Sequence, residues 1–348
     1  MAHVKGYAAH NATEELIPFE FERKELEAGD VVIDILYCGI CHADIHQSKN
    51  EYGGTVYPLV PGHEIVGRVR ALGEGVSSFK INDLVGVGYF IGSCRHCGSC
   101  DEGEEQYCEK GIMPTQNGRL ADGTTTKGGY ADCIVVNEHY VLKVAESLPV
   151  AGVAPLLCAG ITAWSPLRHW KVGKGHKVAV LGLGGLGHMS VKFAASFGAE
   201  VTVLSSSPDK RESALKLGAT NFIVTSDAMS MKKHAASFDF LIDTVSAKHD
   251  YNVYLNLIKK GGAMILLGVP AEAPQLAAFQ LISKRRSITG SFIGGIKETQ
   301  EMLDYCAAHN ITADVEVITP DYINQAFERT LKGDVQYRFV IDMANLKK

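Results

Sequence analysis

The chain has 348 residues, 46% of them hydrophobic and 21% charged, with a formal net charge of -5 at pH 7. That length exceeds what one hydrophobic core usually supports and predicts two domains. The mild acidity, without a basic block or an interleaved aromatic patch, argues against nucleic acid or an anionic membrane surface as a partner.

The N-terminal stretch MAHVKGYAAHNATEELIP lacks a charged region followed by an apolar one, so no export signal is expected. Reduced thiols and a cytoplasmic location are the expectation that follows. The first third then alternates in short, glycine-punctuated runs, VVIDILYCG, EIVGRVRALG and DLVGVGYFIG, which predict a β-rich domain with a barrel-like core. Within it stands Cys94-x2-Cys97-x2-Cys100-x7-Cys108. Zinc prefers tetrahedral thiolates, and two-residue gaps let successive sulfurs turn back onto one ion, with Gly98 and Gly103 expected to permit the sharp turns. Disulfides are the alternative, but such short spacings suit them poorly. A closed site of this kind stabilises a loop and does no chemistry.

Pro149 to Leu167 is nearly free of charge over about the length of a membrane-spanning helix. Pro155, Gly160 and Pro166 are expected to break it into short pieces, as at a buried junction between domains. After residue 170 the pattern changes. KVAVLGLGGLGHMSVKFAASFGAEVTVLSSS reads as strand, glycine turn, helix and second strand, and FDFLIDTVS and GAMILLGVP as further buried parallel strands. Strands alternating with helices predict a doubly wound α/β sheet. IKETQEMLDYCAAHN predicts a helix, and YRFVIDM a terminal strand.

Gly182, Gly184 and Gly187, with Gly185 and Leu186 between them, fit G-x-G-x-x-G directly after a strand and before a helix, the context of a dinucleotide diphosphate site. The second strand ends in Ser205-Ser206-Ser207, with Lys210 and Arg211 beyond, where an NAD site usually carries a carboxylate for the ribose 2′-hydroxyl. Hydroxyls and cations can hold a 2′-phosphate that a carboxylate would repel, so NADP(H) is expected over NAD(H). Asp209 is expected to face solvent.

GICHADIH, YPLVPGHEIVGRV, the four-cysteine lobe, PLLCAGIT and GLGGLG occur in the order found in the zinc-dependent medium-chain alcohol dehydrogenases, which the chain resembles over nearly its whole length. VTVLSSS, LLCAGIT, SPLRHW and YRFVID most resemble the NADP-dependent cinnamyl alcohol dehydrogenases and bacterial aldehyde reductases. The resemblance implies a GroES-like catalytic domain over 1–158, a Rossmann NADP-binding domain over 159–292, and a return segment over 293–348 that completes the first. It also implies two Zn²⁺ per chain. Cys41, His63 and Cys158 match catalytic zinc ligands, with Glu64 as the adjacent carboxylate that can approach the metal and Asp44 as the acid that orients an imidazole ligand. His42 and Arg338 match positions that touch the cofactor diphosphate. The proton relay of the family begins at a Ser or Thr that is Ala43 here, whereas its histidine is present as His46. Tyr52, Tyr89, Phe90, Ile91, Trp164 and Ile293 match pocket positions, which would suit aromatic or medium-length aldehydes. The resemblance thus implies NADPH-dependent aldehyde reduction by a homodimer. Polyol or other secondary-alcohol dehydrogenation, and a non-catalytic NADPH-binding protein on the same scaffold, are the alternatives.

Overall fold

The computed structural model of the protein describes residues 2–270 and 272–347. The chain forms two compact units, one built from Met1–Ile161 and Gly294–Lys348, the other from Thr162–Ile293.

The first unit is built on a seven-stranded sheet. Its order runs Val315–Ile318, Arg338–Asp342, Asp30–Gly39, Ile65–Leu72, Leu84–Val87 and Leu142–Lys143, and Cys133–Asn137 also pairs with Asp30–Gly39. Val315–Ile318 and Arg338–Asp342 run parallel and the other pairings are antiparallel. Asp30–Gly39 is the hub because its ten residues are mostly buried, Val31, Ile33 and Ile35 almost completely. A separate ribbon, Ala2–Ala8 against Ile17–Arg23, ends in a buried Arg23. The Arg23 guanidinium donates to the carbonyls of Cys133, Lys127 and Gly128, each at 2.7 Å. This satisfies its polar atoms where no water reaches.

The second unit is a parallel six-stranded sheet in the order Asn221–Val224, Glu200–Ser205, Lys177–Leu181, Phe238–Asp243, Ile258–Leu266 and Ser287–Gly290. Its strands are apolar at nearly every central position because helices cover both faces, and Leu181, Leu204, Ile223, Leu241 and Met264 form one buried cluster. The strand order reverses between Lys177–Leu181 and Phe238–Asp243, which opens a crevice at their carboxyl ends.

The uncharged stretch from Pro149 folds as a short helix Val150–Val153, a 3₁₀ turn Ala154–Leu157 and a helix Ala159–His169. The expected break points need correcting. The chain bends by 58° at Cys158, whose φ of -133° and ψ of -69° leave the helical region. Pro155 sits in the first turn of the 3₁₀ segment, where a missing N–H costs nothing, while Gly160 and Pro166 both lie inside the following helix. Among the described residues no single helix is long and apolar enough to cross a membrane.

Candidate functional site

Cys41 has extended backbone angles and caps the helix His42–Ser48. Asp44, three residues on, accepts the Cys41 backbone N–H at 2.9 Å, the reciprocal arrangement of a capping box. That local bond fixes a fully buried carboxylate, and the fold brings three more groups to it. His63 Nδ1 lies 2.7 Å from Asp44 Oδ1, the Gly62 N–H donates to the same oxygen at 3.3 Å, and the Tyr130 hydroxyl donates to Oδ2 at 3.2 Å. With Nδ1 donating, His63 presents a lone pair at Nε2, and this fully buried atom has no hydrogen-bond partner. Glu64 Oε2 is buried and unpartnered as well.

Donor atoms of Cys41, His63, Glu64 and Cys158 lie within 4.8 Å of one another. Two unpartnered polar atoms in a buried site would carry a desolvation cost unless something ligates them, and two thiols, an imidazole and a carboxylate suit zinc. The residues therefore fit the metal that the sequence implies. A hydrogen bond with Cys158, aided by the positive Arg338, pulls the Cys41 thiol well below the usual thiol range, and the same contact together with burial pushes Cys158 up. Burial raises Glu64 to about 7 against the opposing pull of Arg338. Arg338, expected near a diphosphate, is buried and pairs with Glu64 Oε1.

Around this cluster the expected residues separate. The Tyr89 ring stands edge-on to His63 at 5.2 Å. Tyr52 is 58% exposed and packs on His46 at 5.3 Å. Phe90 is buried against Tyr140, and Ile91 is half-buried. Trp164 and Ile293 belong to the second unit, where Trp164 packs between Phe193 and Phe197 and Ile293 is buried with a left-handed φ of 37°. His42 is exposed, and Ala43 offers no hydroxyl. His46 Nδ1 contacts the Glu51 carboxylate. Sequence reasoning missed Glu51, Tyr130 and Gln116, whose Oε1 accepts the Gly62 N–H at 2.5 Å. Only Glu51, one turn beyond the helix that carries His46, left a local signal.

Cys94, Cys97, Cys100 and Cys108 form the second cluster, with Cys94 and Cys100 sulfurs 3.9 Å apart and Cys97 and Cys108 sulfurs 4.0 Å apart. Ligands at about 2.3 Å from a tetrahedral zinc are separated by about 3.8 Å, so this too is a metal geometry. None of the nine cysteines is in a disulfide. N–H groups of Glu109 and Cys100 help hold Cys97 down to about 6. The expected turn residues are half right: Gly103 has φ of 79°, but Gly98 begins a short helix and the other left-handed residue is Arg95.

In the second unit Gly182 adopts φ of 89°, and a Cβ on Gly187 would stand 2.2 Å from the Gly182 carbonyl oxygen. A Cβ on Gly184 would meet nothing within 4 Å. This is the open side of the loop, over the start of the helix Gly185–Ser196, whose first turn includes Gly185 and Leu186 and has no side-chain cap. Uncapped N–H groups at a helix start suit a diphosphate. Ser205 is buried and accepts from the Ser207 N–H, whereas Ser206 is exposed. Lys210 reaches back from beyond the second strand to the Leu183 carbonyl at 3.2 Å, so one cation bridges the serine turn and the glycine loop. Asp209 is exposed.

The pattern of the alcohol dehydrogenase GroES-like domain matches residues 27–146, and that of zinc-binding dehydrogenases matches 185–308. NADP-dependent alcohol dehydrogenase C 1 of Mycolicibacterium smegmatis is 53% identical over 348 residues, covering 100% of both chains. A cinnamyl alcohol dehydrogenase of Sorghum bicolor is 48% identical, with a TM-score of 0.96 over 99% of this chain and 98% of its own. The protein CAD of Helicobacter pylori, solved in complex with NADP(H), is 42% identical, with a TM-score of 0.93 over 99% of each chain. With identity near one half along its full length, the chain belongs to the zinc-binding medium-chain alcohol dehydrogenases.

Proposed function

We propose that this protein reduces aromatic or medium-length aldehydes to primary alcohols with NADPH, and runs the reverse oxidation with NADP. The carrying observation is the largely buried cluster of Cys41, His63, Glu64 and Cys158, in which His63 Nε2 has no hydrogen-bond partner. Zinc held there would polarise a carbonyl oxygen, and NADPH in the glycine-loop crevice would supply hydride. Asp44 fixes the His63 tautomer and turns Nε2 toward the cluster. Glu64 carries a carboxylate at the edge of the ligand set, held by Arg338. His46 and Glu51 hold a proton near the helix that Cys41 caps, and Ala43 leaves the step from there to the substrate to ordered water. Lys210 and the exposed Ser206 favour the 2′-phosphate of NADP(H). The cysteine lobe holds the second zinc as a closed structural site.

The names of the Mycolicibacterium, Sorghum and Helicobacter relatives support the cofactor and the substrate class. Exposed Val269, Phe279 and Ile282, and the edge strand Ser287–Gly290 in the same unit, favour a homodimer. A cytoplasmic location rests on the reduced cysteines. The test is metal analysis together with an aldehyde screen using both reduced cofactors. Two zinc ions per chain, and kcat/KM with NADPH far above that with NADH, are expected. Cys158→Ala that keeps both its zinc and its activity would refute the catalytic assignment.

A further inference from the structure

Asp243 ends the strand Phe238–Asp243 and stands in register with Leu181, the residue before Gly182. Neighbouring strands lie about 4.8 Å apart, so this carboxylate is next to the start of the glycine loop. The segment after it is pressed against that loop. The Thr244 hydroxyl donates to the Leu181 carbonyl at 2.8 Å, and a Cβ on Gly182 would stand 2.9 Å from both that hydroxyl oxygen and a Val245 methyl. Asp243 is buried, and its Oδ1 accepts the Val245 N–H at 3.0 Å.

The other oxygen meets His249. Its Nε2 lies 2.9 Å from Asp243 Oδ2, and its Nδ1 lies 2.8 Å from the Ala247 carbonyl oxygen. A carbonyl only accepts, so Nδ1 carries a hydrogen. The Nε2–Oδ2 contact then needs a second hydrogen, on either the imidazole or the carboxyl. In both forms the pair has zero net charge. Losing that hydrogen would set a lone pair against a carboxylate oxygen and leave one negative charge in a buried place. Burial already pushes the Asp243 carboxyl up against the opposing pull of the Val245 N–H and His249. Tyr251 and Tyr254 flank the imidazole at 4.8 and 5.5 Å, Asp250 is engaged at the start of their helix, and Lys248 pairs with Glu272 at the surface. Among the described contacts, no other cation reaches Asp243.

We propose that Asp243 and His249 share a proton that keeps the floor of the glycine loop electrically neutral, and that this makes them positioning residues for NADP(H), whose affinity falls when the proton leaves. The proposal rests on the cofactor reading given above. A multiply charged diphosphate bound at Gly184 would feel a new negative charge beneath the loop, and the Val245 N–H and His249 would lose the geometry that holds Thr244 in place.

The test is NADPH binding to the full protein, followed by fluorescence from about pH 5 to about pH 8, the range in which histidine side chains commonly exchange their protons. The dissociation constant of the unmodified protein should rise about tenfold across this range, equivalent to about 1.4 kcal/mol. His249→Gln keeps an N–H donor for Asp243 but cannot titrate, so its affinity should be nearly independent of pH. ¹⁵N-labelled histidine spectra of the unmodified protein should show His249 hydrogen-bonded at both nitrogens. His249→Gln with the slope of the unmodified protein, or a His249 spectrum with a bare Nε2 at pH 6, would overturn the proposal alone. No saturable NADPH binding at any pH would overturn the cofactor reading and this proposal with it.

Discussion

Asp44 Oδ1 lies 2.7 Å from His63 Nδ1, and both side chains are completely buried. The same carboxylate caps the helix that Cys41 begins. One acid therefore sets the tautomer of one candidate ligand and the backbone position of another. Asp44→Asn keeps the shape and removes the charge. Loss of such a partner commonly costs 10–100-fold in metal affinity. Competition with a chromogenic chelator should release one zinc per chain about that much more readily, with the second unchanged. Equal release from both proteins would place the metal elsewhere.

Cofactor choice is best tested at Ser206, since Ser205 is buried and accepts from the Ser207 N–H. Ser206→Asp puts a carboxylate where a 2′-phosphate would be held. A hydrogen bond to a charged group is worth about 1.5–3 kcal/mol, so kcat/KM for NADPH should fall about 10–100-fold while that for NADH holds or rises. Steady-state kinetics with both cofactors decide it.

Ala43 stands where the resemblance implies a Ser or Thr hydroxyl, and His46 has a carboxylate partner in Glu51. Ala43→Ser should raise kcat a few-fold and weaken the solvent isotope effect on reduction, since a water-filled gap retains most of the 10²–10⁴-fold that acid-base catalysis commonly supplies. Glu51→Gln should lower kcat by a similar few-fold. If neither change moves the rate or the isotope effect, protons leave by another route.

Glu105 joins the cysteine lobe to the return segment by accepting the Ile296 N–H at 3.0 Å, and it pairs with His139 at 3.3 Å. Burial alone would raise its carboxyl, but His139 and backbone N–H groups hold it below the ordinary value of 4.5. Because the folded value is depressed, its charge stabilises the fold above pH 4.5, and that contribution is lost as pH falls through the folded value. Glu105→Gln should therefore cost about 1 kcal/mol at neutral pH. The difference in melting temperature should shrink under acid, and a constant difference would contradict the assignment.

The α/β unit was legible because its strands are apolar at nearly every position and its glycine loop sits between strand and helix. The clustering of the four cysteines was legible because they are sequence neighbours. The cluster of Cys41, His63, Glu64 and Cys158 was not legible from spacing, since Cys158 lies 117 positions after Cys41, and only the family resemblance joined them. Local rules also misplaced some turns. Gly98 and Pro166 both look like breakers but lie in helices, because packing overrides a propensity of about 1–3 kcal/mol. Gly39 carried no sequence signal, yet a Cβ there would stand 2.0 Å from Glu64 Oε2. The pairing of Arg338 with Glu64 carried no sequence signal either, since it depends on a contact between positions 274 residues apart.

A Cβ on Gly294 would stand 2.6 Å from Ile161 Cγ1. These are the last residue of the first unit before the chain leaves it and the first after the chain returns. The exit and the re-entry are thus neighbours, and the intervening 162–293 is, in design terms, a cassette inserted at one point of the first unit's chain. Joining Ile161 to Gly294 through a short glycine-rich loop should close the first unit on itself, with all eight candidate metal-binding residues on one shorter chain. Such a miniature would separate zinc binding from nicotinamide binding in a way that point substitution cannot.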